Sequence, residues 1–278
     1  MRTTLVIARL TFREAARRKI LLAAVALGVI FLVVYAIGFY YVNKDLSTSG
    51  NAGLIERSEI RNFFMMAGLY VVNFLCVMMA VLTSVDTLSG EIASGTIHTL
   101  LAKPVQRWEI VVGKALGFSG MLTLYVLLMG GGVVAVVYLF GGYQAPNVLR
   151  GLSLMWLNVI LLLNVSLLGG ATLSTLANGV LVFGMYGIAF LGGWIEQVGS
   201  LVQNQTAVNI GIISSLIIPT EALWKRAAYE MQSPLVQALG FSPFSSGSVP
   251  SLLMIGYAFF YAAIALLLAI RQFRLRDL

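Results

Sequence analysis

Six apolar stretches, each about as long as a membrane-crossing helix, restrict the folds open to this chain. They cover residues 20–42, 63–85, 115–140, 152–173, 179–195 and 251–270, and none contains Asp, Glu, Lys or Arg. A helix needs about 20 apolar residues to cross the hydrocarbon core, and it satisfies its own backbone hydrogen bonds there. With 59% of residues hydrophobic and 10% charged, a water-soluble globule would lack a polar surface. We therefore predict an all-α integral membrane protein, a single domain over residues 1–278 with six transmembrane helices.

Lysine and arginine are distributed unevenly between the two sides of this arrangement. If the N-terminus is cytoplasmic, twelve of the 18 Lys and Arg residues fall in cytoplasmic segments and six in external ones. The positive-inside rule then predicts that both termini are cytoplasmic. The net charge of +7 faces anionic lipid head groups on that side, so nucleic acid is not needed to explain it. Residues 1–19 are predicted to form a basic helix on the cytoplasmic surface, either a simple anchor or an elbow that moves with the bundle.

The region between the last two spans, residues 196–250, is too polar to assign as a further crossing. Residues 201–218 are long enough to cross, but they include the amide and hydroxyl side chains of Gln203, Asn204, Gln205, Thr206 and Asn209. A seventh span would also place the basic C-terminal tail outside. We predict external re-entrant or surface-lying helices here, the second over residues 220–232. The external placement of Lys225 and Arg226 is an observation against this arrangement.

Residues 86–114 form a long polar segment between two spans on the predicted cytoplasmic side. A helix is predicted from residue 85 to residue 101, and Lys103 is predicted to break it because the proline that follows disfavours helix at that position. Apolar residues recur within this helix every four positions, beside Glu91, Ser94 and His98. Such a helix can lie across the membrane surface and offer its polar edge to a partner protein.

The sequence does not predict an enzyme. The nearest approach to a phosphate-binding P-loop is Gly113-Lys114, but Trp108 stands where the first glycine is required and Ala115 where Ser or Thr is required. The single histidine, His98, excludes two-histidine metal motifs, and we expect no metal or cofactor on this chain. The predicted spans carry no acid or base that would mark an ion pathway, so we expect an apolar cavity with a few amides and hydroxyls.

The segment from residue 86 to residue 114 resembles the signature of the type-2 ABC exporter permeases, in particular the branch that includes the nitrous-oxide reductase maturation permease. The matching residues are Gly90, Glu91, Gly95, Thr96, Leu100, Leu101, Lys103, Pro104, Arg107, Gly113 and Lys114. The six spans, the basic surface helix and the cytoplasmic ends extend the resemblance over nearly the whole chain. It implies a coupling helix that docks in a groove on a separate ABC ATPase subunit, which would carry ATP and Mg²⁺. It also implies a permease that works as a dimer, with itself or with a related partner, in a bacterial or archaeal cell membrane.

Five residues are predicted to couple the chain to the ATPase: Glu91, Thr96, His98, Lys103 and Arg107. Four of them belong to the matching motif, and His98 lies on the polar edge of the predicted helix. Two roles are open for His98: a polar residue on the protein surface, or a residue that takes part in proton coupling. The predicted function is the permease subunit of an ATP-driven transporter, an exporter by resemblance. The alternative is a structural or force-transmitting membrane module that relays ATPase motion to an external partner without transport.

Three residues inside the spans are candidates for the translocation pathway or for helix packing. Exposing the amides of Asn158 and Asn164 to lipid costs free energy, so these residues should face other helices or a cavity. There they would form interhelical hydrogen bonds or contact the substrate. Gly131 lies in a run of three glycines in the third span, where it could form a hinge or allow close helix packing. None of these residues indicates a particular substrate.

Overall fold

The computed structural model describes residues 2–48, 53–97, 105–239, 244 and 248–276. Two of the predicted coupling residues, His98 and Lys103, lie outside these ranges. Within them the regular secondary structure is helical, and the helices are α1 (Arg2–Arg17), α2 (Lys19–Thr48), α3 (Leu54–Ser84), α4 (Ser89–Ala93), α5 (Arg107–Gly141), α6 (Val148–Thr172), α7 (Thr175–Leu201), α8 (Gln205–Ile217), α9 (Thr220–Met231), α10 (Pro234–Leu239) and α11 (Leu252–Leu275).

Six segments of the described chain are long and apolar enough to cross a membrane. They are α2, α3 together with α4, α5, α6, α7 and α11. The prediction of an all-α, multi-pass membrane protein with six spans is therefore confirmed. We call the end of the bundle that holds α1, α4, the start of α5 and the end of α11 the basic end, and the end that holds α10 the opposite end.

Helix α6 lies at the centre of the bundle. It packs against α3, α5, α7, α9 and α11, and two-thirds of its apolar window, 67%, is buried. Helix α2, by contrast, packs against α5 and α3 on one side only, and 11% of its window is buried. The remaining apolar surface of α2 is suited to contact with lipid tails. Lipid tails solvate apolar side chains no less favourably than a protein interior does.

Helix α1 is fastened to the bundle through the glycines at the start of α5. A Cβ atom added at Gly113 would lie 2.7 Å from the Cβ of Ile7, and one added at Gly117 would lie 2.6 Å from the backbone oxygen of Ala8. Small residues of this kind let two helix backbones approach closely. Ile7 is buried at this contact.

Helices α8 and α9 fold back against the bundle. α8 runs antiparallel along α7, with Ser214 beside Gly192 and Ala207 beside Gly199. The chain then bends by 107° into α9, which packs on α6. This is the geometry that a re-entrant pair would have, and α9 covers the position predicted for the second helix of the region.

Two buried charges lie in the spanning helices, each one residue beyond a predicted apolar span. Lys114 lies in α5 and Glu196 in α7, and both are buried. The apolar stretches mark only the middle of each helix, whereas the helices extend into flanking polar sequence. Each of the two charges is retained because it has an oppositely charged partner from a distant part of the chain.

Candidate functional site

The polar segment after α3 is not one continuous helix. Helical hydrogen bonding continues past Ser84, since the Gly90 amide donates to the Asp86 carbonyl at 3.0 Å, and α4 follows directly. Gly95 then takes a left-handed φ of 71° and ends this run. Glycine adopts that conformation without the steric penalty of a Cβ atom, which makes it a common helix terminator. The predicted uninterrupted helix over residues 85–101 is therefore wrong, and its four-residue apolar pattern crosses a break.

Glu91 of α4 is turned toward the bundle and forms an ion pair with Lys114 of α5. The distance from Glu91 Oε1 to Lys114 Nζ is 2.5 Å, and the side chains are 15% and 5% exposed. Removing one partner of such a buried pair leaves an uncompensated charge and typically costs about 3–5 kcal/mol. The pair therefore fixes α4 to the first turns of α5.

A second set of contacts fixes the same segment to the start of α7. The Thr175 hydroxyl donates to Asp86 Oδ1 at 3.0 Å and lies 2.8 Å from Ser89 Oγ. The buried amide of Asn178 donates to the Val85 carbonyl at 3.0 Å and to the Ser166 carbonyl at 2.9 Å. The start of α7 is thus bonded to the polar segment, although the two are about 90 residues apart in the chain.

Arg107, in the first turn of α5, holds the end of α11. Its Nη1 donates to the Arg276 carbonyl at 2.6 Å and to the Arg274 carbonyl at 3.2 Å. The Arg276 guanidinium in turn donates to the Ala171 carbonyl of α6 at 2.6 Å. The first turn of α5 and the last turns of α6 and α11 are therefore joined at the basic end.

The two asparagines of α6 make hydrogen bonds to neighbouring helices. Asn158 Nδ2 donates to Asn73 Oδ1 of α3 at 3.2 Å, and Asn164 Nδ2 donates to the Ala262 carbonyl of α11 at 3.1 Å. Gly131 is not near them, and a Cβ atom added there would meet nothing within 4 Å in this chain. The two asparagines are therefore bonded to different helices, α3 and α11, and Gly131 has no close neighbour in this chain.

A buried charged cluster that was not predicted from the sequence lies where α7, α8 and α9 meet. Lys225 Nζ lies 2.7 Å from Glu196 Oε2, and the two side chains are 5% and 4% exposed. Ser248 donates to the other oxygen of the Glu196 carboxylate, and Glu221 is buried nearby. The sequence offered two signals: Glu196 at the end of an apolar stretch, and a Glu-x-x-x-Lys pattern in α9 that includes Lys225. Neither signal reveals that Glu196 pairs with Lys225.

Two cavities border this cluster. One of about 220 Å³ lies between Glu196, Lys225 and the start of α11. The other, of about 250 Å³, lies between α3, α7 and α9 and is lined by Tyr70, Asn73, Tyr186 and Glu221 among others. Asn73 also accepts the hydrogen bond of Asn158, so the second cavity connects the asparagine pair to the charged cluster.

A family profile described as ABC-2 family transporter protein matches residues 5–278, nearly the whole chain. The chain belongs to the ABC-2 transporter family. A search among curated proteins returns no match. Membership makes the chain a membrane permease subunit of an ABC transporter and implies an ABC ATPase as its partner. The narrower branch suggested by the resemblance stays a prediction.

Within this ABC-2 permease, the residues predicted to contact the ATPase occupy different positions. Glu91 and Arg107 bind other parts of their own chain, whereas Thr96 is exposed and lies 2.9 Å from the Ser94 hydroxyl. Ala93 and Ser94 are exposed beside it. We call Ala93, Ser94 and Thr96 the exposed tip of the polar segment. The role of all these residues in coupling stays a prediction.

Proposed function

We propose that this ABC-2 permease is an exporter subunit whose basic end docks on ABC ATPase subunits and whose polar segment transmits their motion to the spans. One observation carries the proposal: the segment after α3 is bonded both to α5, through Glu91 and Lys114, and to α7, through Asp86 and Thr175. A force applied to this segment would therefore act on three spanning helices together.

The exposed tip is the part of this segment suited to docking. Its small side chains at a chain reversal could enter a groove on a partner, while the buried Glu91 and Lys114 behind it keep it attached to the bundle. The excess of Lys and Arg at the basic end supports a cytoplasmic location for the tip, where ATP is available to the partner.

The assembly that we propose contains two permeases and two ATPase subunits in a bacterial or archaeal cell membrane. The second permease is another copy of this chain or a related one, as in the family that it resembles. ATP and Mg²⁺ would be bound by the ATPase subunits, whose approach would push both exposed tips and open a path between the permeases. The substrate path inside each copy would include the cavity between α3, α7 and α9, which is lined by Asn73, the hydrogen-bond partner of Asn158.

A second candidate is a module that relays force to an external partner and transports nothing. The observation in its favour is the folded region at the opposite end, where the buried Glu196–Lys225 pair fixes α9 to α7. Movement of α7 would be passed to that region. An experiment with sealed inside-out vesicles distinguishes the transporter from the force-relaying module. The vesicles are incubated in a cell extract with and without ATP, and their contents are analysed by mass spectrometry. Only a transporter accumulates a solute inside them when ATP is present.

The docking test uses the permease purified with its native partners. We expect an ATPase subunit to be recovered in about equal amount and Thr96→Trp, at the exposed tip, to lower this recovery strongly. Glu91→Ala should retain the ATPase subunit but lose the permease-dependent ATP turnover. Glu56→Ala, an exposed carboxylate at the other end of α3, is the matched control and should behave as the wild type. Recovery of the permease without an ATPase subunit, or full recovery with Thr96→Trp, would contradict the proposal.

A further inference from the structure

An apolar groove of about 550 Å³ runs between α6, α7 and α11. Its lining includes Leu168 and Thr172 of α6, Leu181 and Met185 of α7, and Ile264 and Leu268 of α11. None of its lining residues is charged. It is larger than the two polar cavities near Glu196 and Glu221 and is separate from them.

The groove is open toward the surrounding bilayer. α7 and α11 both pack on α6, and the groove lies between them. Phe260 and Ile264 on its α11 wall are 65% and 54% exposed. Because both helices are spanning helices, the molecules that reach this gap from the side are lipids or other membrane-embedded chains.

The length of the groove matches one leaflet. Its α11 wall extends from Tyr257 to Leu268, which corresponds to a rise of about 16 Å at about 1.5 Å per residue. This is about half of a hydrocarbon core of about 30 Å. The groove reaches the turn after α6 at the basic end, and Tyr257 at its other end is hydrogen-bonded to the Leu216 carbonyl of α8 at 2.6 Å.

A positive charge lies where the groove meets the basic end. Arg271 follows Ile264 by seven residues and Leu268 by three, which places it on the same face of α11. Its side chain is exposed, and within the described part of the chain it has no hydrogen bond or ion pair. α11 itself contains no Asp or Glu. An anionic group at the membrane surface would therefore find an unneutralised guanidinium directly below the groove.

We propose that this groove binds an acyl chain of an anionic phospholipid from the leaflet at the basic end, with the lipid phosphate at Arg271. Arginine binds phosphate through two parallel hydrogen bonds, so the charged head and the apolar groove together select a lipid of this class. The inference depends on membrane insertion alone and holds whichever direction the permease transports.

A second copy of the chain fits the same groove less well. A two-fold interface brings the same surface of both subunits together, so Arg271 would approach its counterpart on the same face. Like charges brought together in this way are destabilising. The charge at the mouth therefore favours a lipid phosphate over a second copy.

The test compares lipid binding by the full-length permease in nanodiscs of phosphatidylcholine alone and with phosphatidylglycerol added. Native mass spectrometry after release should show phosphatidylglycerol retained on the wild type. Arg271→Gln should weaken this binding about tenfold, the loss expected for a hydrogen bond between charged groups. Arg13→Gln, which removes an exposed arginine of α1 at the basic end, is the matched control and should retain the lipid, because no residue of α1 lines the groove.

A second pair of variants tests the groove itself. Ile264→Trp fills it and should reduce the retained lipid, while Leu267→Trp, at a position that is 64% exposed and outside the groove, should not. Equal retention of phosphatidylcholine and phosphatidylglycerol, or equal loss in both tryptophan variants, would overturn the proposal. Ile264→Cys in a Cys76→Ala background gives a further check, because efficient disulfide cross-linking between two copies would assign the groove to a subunit interface instead.

Discussion

The Glu91–Lys114 pair is the residue-level link on which our account of coupling depends. Its two atoms are 2.5 Å apart and both side chains are largely buried. Glu91→Lys alone should remove ATP turnover that depends on the permease, because two buried ammonium groups would repel each other. Combining it with Lys114→Glu should restore part of the turnover, since the pair is re-formed with its charges exchanged. Equal turnover in the single and double variants would show that the pair does not link α4 to α5.

The Glu196–Lys225 pair makes a similar prediction at the other end of the molecule. Lys225→Met should destabilise the permease by about 3–5 kcal/mol, because it leaves the Glu196 carboxylate buried without its counter-charge. The loss should appear as a lower midpoint of thermal unfolding in detergent. Lys44→Met removes an exposed lysine and should leave the midpoint nearly unchanged.

Whether Lys225 acts as a counter-charge can be tested with a double variant. Adding Glu196→Gln to Lys225→Met removes the uncompensated charge, so it should recover part of the lost stability. If the double variant is less stable than the wild type by the sum of both single effects, the two residues act independently and the buried pair does not stabilise α9 on α7.

Helix contacts through glycine give a prediction for the elements. Gly117→Ala places a Cβ atom 2.6 Å from the Ala8 carbonyl oxygen and should push α1 away from α5. Overpacking of this kind costs about 1–3 kcal/mol. Gly131→Ala, on the same helix, meets nothing within 4 Å and should be neutral or stabilising because alanine favours helix. Thermal unfolding of the two variants checks this, and equal midpoints would contradict the close contact between α1 and α5.

The elements also show which parts of the structure a single sequence can predict. The six spans were predictable because a long apolar stretch is a local property, and each stretch forms a helix. The helix break at Gly95 was not predictable, because glycine is tolerated within helices. Nothing nearby in the sequence forces the left-handed φ of 71° that Gly95 adopts. The continuous apolar pattern around it favoured an unbroken helix.

The candidate site was predictable only in part, because most of its contacts join distant residues. The segment that contains Glu91 and Arg107 was identified from its polarity and its motif. Its binding to Thr175, however, depends on how α3 and α7 pack, and the pairing of Glu196 with Lys225 depends on the fold-back of α8 and α9. Long-range pairings of this kind leave no periodic pattern in the sequence.

For the whole molecule, the distribution of positive charge predicts one orientation in the membrane. In a Cys76→Ala background, Ser94→Cys at the basic end should react with a membrane-impermeant maleimide only from the cytoplasmic side. Val202→Cys, 66% exposed at the end of α7, should react only from outside. Labelling of both cysteines in intact cells and in inside-out vesicles checks this. The reverse pattern would place the exposed tip where no ATPase could reach it.

The attachment of α1 and α2 to α5 has a consequence for synthesis of the protein. α1 and α2 are made before α5, their main packing partner, which ends at Gly141. Helix α2 therefore enters the bilayer before α5 exists, and lipid covers the surface that α5 later occupies. It is the most apolar of the six spans, which suits a helix that has to be stable in lipid before α5 joins it.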